Sequence, residues 1–351
     1  MPLTGSTDRT FTDRISTDRI FTDRTFAAAT DWTRRHVEAG RLPVAVLGIA
    51  DASGVLSLEA FGTDDGRGAT VDDRFALYSV TKPLVALTAM RAVERGLLTV
   101  DTPLRDALPG FISAEVTLGH LMSHTSGIAD VVLGGRPHGG ATTLRESVER
   151  APIDYVPGTA RRYTNITWAG VAALVEYSTG RAFEDGFAAM TAAVGATGLS
   201  FDTDGIHTVH GGDRYEHAPS ELLALRHPAA GAAARAADLL AIGQSLLARD
   251  GAVVAPVTLE AMRQSRTTGL YVIDPDPSKH LENFGIGFNL PRRHGLLDHS
   301  VFGHEGWCRS QFWISPDAGL CLVLLTNRLD ATEPDVGVRM DELLNAVFAG
   351  R

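Results

Sequence analysis

Pro43-Val44-Ala45-Val46-Leu47-Gly48-Ile49-Ala50 reads as a short apolar strand, Asp51-Ala52-Ser53-Gly54 as a turn, and Val55 to Phe61 as a returning strand. Apolar runs joined by a compact Asp/Ser/Gly turn are the signature of an antiparallel hairpin. Strand-like runs then disappear for two hundred residues. They return near the other end of the chain, over Phe284 to Leu290, Ser310 to Ile314 and Leu320 to Thr326. Between them, Lys82 to Glu94 reads as a buried helix ended by Gly96, and Asp101 to Leu247 is mostly helical with glycine-rich loops. Helices are also expected over Ala27 to Ala39, stopping at Gly40, and over Asp335 to Phe348. The economical architecture is α/β: one antiparallel sheet formed from both chain ends and flanked by helices, with a mainly helical lobe inserted. On this reading residues 26–351 form a single domain, with a sheet lobe of 26–80 plus 248–351 and a helical lobe of 81–247. A cleft between two such lobes is a natural substrate site.

Ahead of this domain, Thr7-Asp8-Arg9, Thr12-Asp13-Arg14, Thr17-Asp18-Arg19 and Thr22-Asp23-Arg24 repeat with a period of five. That period fits neither a helix face nor strand alternation. With little apolar content, residues 1–25 are expected to be a disordered tail.

At 351 residues and 44% hydrophobic, the chain is long enough for a sizeable core. A net charge of -10 disfavours a phosphate backbone as partner, so nucleic acid is not expected. No apolar run reaches the ~18 residues of a membrane span. The N-terminus shows no basic start followed by an apolar stretch, which points to a cytoplasmic protein. Cys308 and Cys321 have no CxxC spacing and read as free thiols of a reducing compartment.

Chemistry enters with lysine. The chain has only two, Lys82 and Lys279. Lys82 closes Ser79-Val80-Thr81-Lys82 at the expected start of a helix. Residues three apart share a helix face, so the Lys82 amine can reach the Ser79 hydroxyl. A desolvated lysine can act as a base, whereas arginine stays charged. A serine hydroxyl is a weak nucleophile until a neighbour takes its proton. Pro83 is tolerated in a first helical turn, and the helix N-terminus favours an oxyanion. Tyr163-Thr164-Asn165 follows the turn Val156-Pro157-Gly158-Thr159. A tyrosine whose pKa is lowered by a nearby ammonium is a candidate general base, and Asn165 can orient the lysine or a substrate amide. Gly303-His304-Glu305-Gly306-Trp307 precedes two strands, and an edge amide there, paired with that of Ser79, can form an oxyanion hole. Each segment alone also admits a bland role: a helix-capping serine with a solvated lysine, a tyrosine packed at a helix start, a structural histidine.

Taken together and in this order, the segments resemble the serine β-lactamase and penicillin-binding-protein superfamily, for which S-x-x-K is a signature. The likeness is greatest to its class C-like branch, which includes esterases and D-amino-acid peptidases. Further stretches are similar to that branch: Leu121-Met122-Ser123-His124-Thr125-Ser126-Gly127-Ile128, Pro157-Gly158-Thr159, Trp313-Ile314-Ser315-Pro316 and Leu324-Leu325-Thr326-Asn327. The resemblance covers about residues 26 to 350. It implies a β-lactamase/transpeptidase-like fold and an acyl-enzyme on Ser79. Lys82 and Tyr163 would share the proton transfers, and the amides of Ser79 and Trp307, beside His304 and Gly306, would hold the oxyanion. His124 would be structural. The implied activity is carboxylesterase-type hydrolysis of small esters. The alternatives are D-amino-acid peptidase, amidase or acyltransferase chemistry, or a penicillin-binding sensor with little turnover. The residue between His304 and Gly306 is usually a small hydroxyl residue that helps hold a substrate carboxylate, and here it is Glu305. A carboxylate in the cleft would repel one on the substrate, which favours a neutral ester or an amide bearing an amine.

No G-x-S-x-G, H-E-x-x-H or P-loop pattern occurs. The histidines at 207, 210 and 217, and at 294, 299 and 304, match no metal-site spacing, so neither metal nor other cofactor is expected. Gly134-Gly135-Arg136-Pro137-His138-Gly139-Gly140 reads as a mobile loop at the cleft mouth.

Overall fold

The fold is known from a computed structural model, which describes residues 26–129, 141–212, 219–274, 277–291, 296–331, 333 and 335–349. The repeat tail, the Gly134–Gly140 loop, His217 and His294 lie outside the described residues.

As the sequence predicts, strands from the two ends of the chain meet in one antiparallel sheet. From edge to edge its eight strands are Arg67–Gly68, Gly54–Asp64, Val44–Asp51, Leu320–Thr326, Gln311–Ser315, Phe302–Glu305, Asn289–Pro291 and Glu282–Phe284. The central junction joins the early hairpin to the last strand, with Ala45 opposite Thr326 and Ala50 opposite Cys321. Alternate residues feed opposite faces. Ala45, Leu47, Ile49, Leu322 and Leu324 pack against the terminal helices Ala27–Glu38 and Met340–Phe348. Those two helices are tied by Trp32 Nε1 donating to Glu342 Oε2 at 2.9 Å. Val44, Val46, Val323 and Leu325 face the larger core, built with helices Thr81–Glu94, Thr167–Thr179 and Ala236–Ala248. Covered on both faces, Leu320–Thr326 is buried along its whole length, which explains its unbroken apolar sequence.

Two expectations are corrected. Phe284 to Leu290 is not one strand: Glu282–Phe284 and Asn289–Pro291 form a hairpin around a tight turn. Gly287 in that turn has φ +77°, and a Cβ there would lie 2.1 Å from Ala86 Cβ, so only glycine lets the turn rest on the helix below. The last helix starts at Met340 rather than Asp335, because Val338 N bonds to Ala331 O and Arg339 is extended.

Helix Thr81–Glu94 is buried without a break from Thr81 to Met90. A helix apolar all round belongs in the interior, and Lys82 is carried in with it. Among the described residues no helix is long and apolar enough to cross a membrane.

Candidate active site

Ser79 lies in a single 3₁₀ turn, Tyr78–Val80, that runs straight into helix Thr81–Glu94. Its neighbour Tyr78 has φ +45°, a conformation that costs a bulky residue about 1–3 kcal/mol. Packing holds it there. The Tyr78 ring is buried and meets Trp307 edge-on at 5.9 Å between centroids. The segment behind is fixed by Leu77 N bonding to Ala232 O at 2.9 Å. The hydroxyl of Ser79 makes no helix cap, which removes the capping role as its explanation.

Lys82 is fully buried, whereas Ser79 and Tyr163 keep some exposure. The Lys82 ammonium donates to Ser79 Oγ at 3.0 Å, to Asn165 Oδ1 at 2.8 Å and to the carbonyl of Ala229 at 3.2 Å. Tyr163 OH donates to the same Ser79 Oγ at 2.8 Å. Two segments thus meet at the Ser79 oxygen, and Asn165 and Ala229 hold the lysine. Asn165 meets the lysine through its side-chain oxygen. The Ala229 carbonyl has no sequence signal, and its loop is braced by Ala229 N bonding to the buried His227 Nδ1 at 2.9 Å.

Tyr163 is held by several neighbours. Its amide donates to Asp274 Oδ2 at 3.0 Å. The ring of His124 stacks on it at 4.5 Å, and His124 Nδ1 accepts from Thr164 N at 3.2 Å. The side chain called structural in the sequence thus sets the pose of the phenol. Both lysines of the chain lie over the Tyr163 ring, Lys82 at 4.7 Å and Lys279 at 4.9 Å from its centroid. The expected lowering of the phenol's pKa is corrected. Burial pushes it well above the usual value, the hydrogen bond to Ser79 opposes this, and the carboxylates of Glu282, Glu305 and Asp274 add to the rise.

The strand Phe302–Glu305 brings His304 and Glu305 alongside. His304 is buried, and its Nδ1 donates to the carbonyl of Glu305 at 2.7 Å. Burial, reinforced by the Lys82 charge, lowers His304 to about 3, so the ring is neutral and adds no positive charge. Glu305 Oε1 lies 4.0 Å from Arg309 Nη1, with little of its side chain exposed. Gly306 turns the chain against the nucleophile segment: a Cβ there would fall 2.3 Å from the carbonyl oxygen of Leu77. That close approach puts Trp307 on Tyr78, next to Ser79.

Among the described residues, one group of carboxylate and imidazole ligand atoms is close enough to hold an ion: Asp64, Asp65 and His210. There the Asp64 carboxylate already accepts from His210 Nε2 at 2.8 Å and from Asn327 Nδ2 at 2.7 Å. His210 also bonds through its backbone to Asn327 and Leu329, which makes the group a clamp between a loop and the end of the last strand. His207 is likewise engaged, with Asp73 at 3.0 Å.

Comparison with known proteins bears on the family and the fold. The family described as Beta-lactamase matches residues 29–345. Penicillin-binding protein 4 of Amycolatopsis lactamdurans is 36% identical over 163 residues, 44% of this chain and 42% of that protein. Esterase EstB of Burkholderia gladioli is 34% identical over 166 residues, 40% of this chain and 42% of its own length. Each match thus spans about two fifths of those relatives. Among solved structures, EstCE1, a hydrolase with promiscuous acyltransferase activity, superposes with a TM-score of 0.77 at 21% identity, covering 93% of this chain and 99% of that one. A penicillin-binding protein homologue from Caulobacter crescentus superposes with a TM-score of 0.75 at 20% identity, covering 93% and 97%. These likenesses establish a shared fold, and with a family match over nearly all of the described residues the chain belongs to the Beta-lactamase family.

Proposed function

We propose that the protein is a serine hydrolase that forms an acyl-enzyme on Ser79 and acts on small neutral esters. The observation that carries this reading is the convergence of Lys82 Nζ and Tyr163 OH on Ser79 Oγ at 3.0 and 2.8 Å. For Ser79 to attack, one of those two neighbours must arrive without its proton. The pair is therefore the base when it is one proton short, whichever member lacks it, and its titration belongs to the pair. Ser79 gives its proton to the pair as its oxygen bonds to the ester carbonyl carbon. Tyr163 then returns a proton to the leaving alkoxide as the ester C–O bond breaks. Water repeats the sequence on the acyl-enzyme: it loses a proton to the pair, and Ser79 leaves with that proton restored. The amides of Ser79 and Trp307 are the candidate oxyanion donors.

Esterase and acyltransferase relatives support acyl transfer as the reaction class, and Glu305 favours neutral over carboxylate-bearing substrates. The test is turnover of p-nitrophenyl butyrate, with nitrocefin as the carboxylate-bearing comparison. Ester turnover lost in Ser79→Ala is the expected result; turnover retained in that variant overturns the proposal.

A further inference from the structure

The chain's second lysine is built into the same cluster. Lys279 stands in the short 3₁₀ segment Pro277–Leu281, directly before the edge strand Glu282–Phe284. Its ammonium is fixed by Glu282 Oε1 at 3.1 Å, and Glu282 is 2% exposed. The backbone beneath is clamped by the buried Arg161, whose Nη2 donates to the carbonyls of Lys279 at 2.6 Å and Glu282 at 3.1 Å. Arg161 in turn lies over the Phe284 ring at 5.3 Å. The Lys279 head is thereby held 4.9 Å from the centre of the Tyr163 ring.

The charges around that phenol need such a cation. Facing it are Lys82 from the nucleophile helix, the neutral rings of His124 and His304, and the carboxylates of Glu282, Glu305 and Asp274. On its own segment, Arg161 is turned to the Lys279–Glu282 backbone, and Arg162 pairs with Asp154. Three carboxylates thus oppose a phenolate, and His304, held neutral, does nothing to offset them. A negative oxygen on Tyr163 is favoured by every positive charge within a few ångströms in a poorly solvated site.

We propose that Lys279 is a positioning residue that acts through Tyr163, its charge making the deprotonated Lys82–Tyr163 pair accessible at neutral pH. This rests on the acyl-enzyme reading above. Removing the Lys279 charge takes away a cation beside the phenol and the ammonium with which Glu282 is paired. Both effects make the pair harder to deprotonate, so the ascending limb of activity against pH moves to higher pH.

The test is the pH profile of kcat/KM for p-nitrophenyl butyrate in the full chain, alongside thermal melting. Lys279→Gln is expected to move the ascending limb up by about one pH unit and to lower the neutral-pH value roughly tenfold, through kcat rather than KM. Lys279→Arg is expected to restore the limb. The double variant Lys279→Gln/Glu282→Gln, which removes both charges, is expected to fall between. A limb that stays in place in Lys279→Gln overturns the proposal, whether activity is unchanged or lowered evenly at all pH values. So does a loss appearing only in KM, which would make Lys279 a substrate contact. Ser79→Ala run in parallel separates the two levels: activity surviving in it defeats the acyl-enzyme reading, whereas an unmoved limb with inactive Ser79→Ala defeats the Lys279 role alone.

Discussion

Tyr163 OH donates to Ser79 Oγ at 2.8 Å across 84 residues of chain, and the Lys82 ammonium meets the same oxygen at 3.0 Å. Two proton carriers on one alcohol are what the proposed acyl transfer requires. Lys82→Ala and Lys82→Arg are both expected to lower kcat/KM for p-nitrophenyl butyrate by about a thousandfold, because neither side chain can take the serine proton. Steady-state kinetics on the folded variants checks this. Arginine supporting wild-type turnover would show that only charge is needed at that position.

Tyr163→Phe keeps the ring against His124 and removes the oxygen. It is expected to reduce kcat about a hundredfold or more with KM little changed, since the role proposed for the lost group is moving protons rather than binding substrate. Separate determination of kcat and KM decides it; a loss confined to KM would speak against a proton-transfer role.

Much of this arrangement was legible in the chain, and the failures have physical causes. The spacing of Ser79 and Lys82 is local, and helix geometry alone brings them together. The central strands were legible because Val44–Asp51 and Leu320–Thr326 are nearly continuous apolar runs; Phe284 to Leu290 was misread because glycines break it into a hairpin, and the short strands Arg67–Gly68 and Phe302–Glu305 lack an apolar run to mark them. The sign of the Tyr163 shift was not legible, because it is set first by burial, which the fold alone decides, and then by Glu282, Glu305 and Asp274, which act from segments more than a hundred residues away. Lys279 carried a signal in being one of only two lysines, yet no local motif marks it. The Ala229 carbonyl and the His124 stack left no trace, since any residue has a carbonyl and a buried histidine reads as core.

Asn165 accepts from the Lys82 ammonium at 2.8 Å. Asn165→Ala is expected to lower kcat about ten- to a hundredfold by freeing the amine from its pose, and Asn165→Gln to do much the same because its longer arm misplaces the acceptor. Kinetics of both variants beside their melting temperatures separates this from a general loss of stability.

Three buried histidines make the fold acid-sensitive. Burial lowers His227 and His304 to about 3 and His124 well below its usual value. In the unfolded chain each binds a proton near pH 6.5. Below that pH the unfolded state binds more protons than the native state. The stability is therefore fully present above about pH 6.5 and is lost as pH falls toward 3. The melting temperature is expected to drop steadily between pH 6.5 and 4.5, above the range where most carboxylates titrate. A flat profile over that window would contradict the buried, neutral assignment.

Glu305 stands beside the site with its carboxylate near Arg309. Glu305→Ser is expected to raise the rate of acylation by nitrocefin about tenfold or more while changing ester turnover much less. Stopped-flow acylation rates measure it, and an unaltered preference would remove Glu305 as the determinant of substrate charge.

The central claim is a covalent bond at one oxygen. Treating the protein with a fluorophosphonate and mapping the adduct by peptide mass spectrometry tests it directly. Rapid, single modification of Ser79, absent in Ser79→Ala, is the predicted result; a folded protein that stays unlabelled, or carries the adduct on another residue, would contradict it.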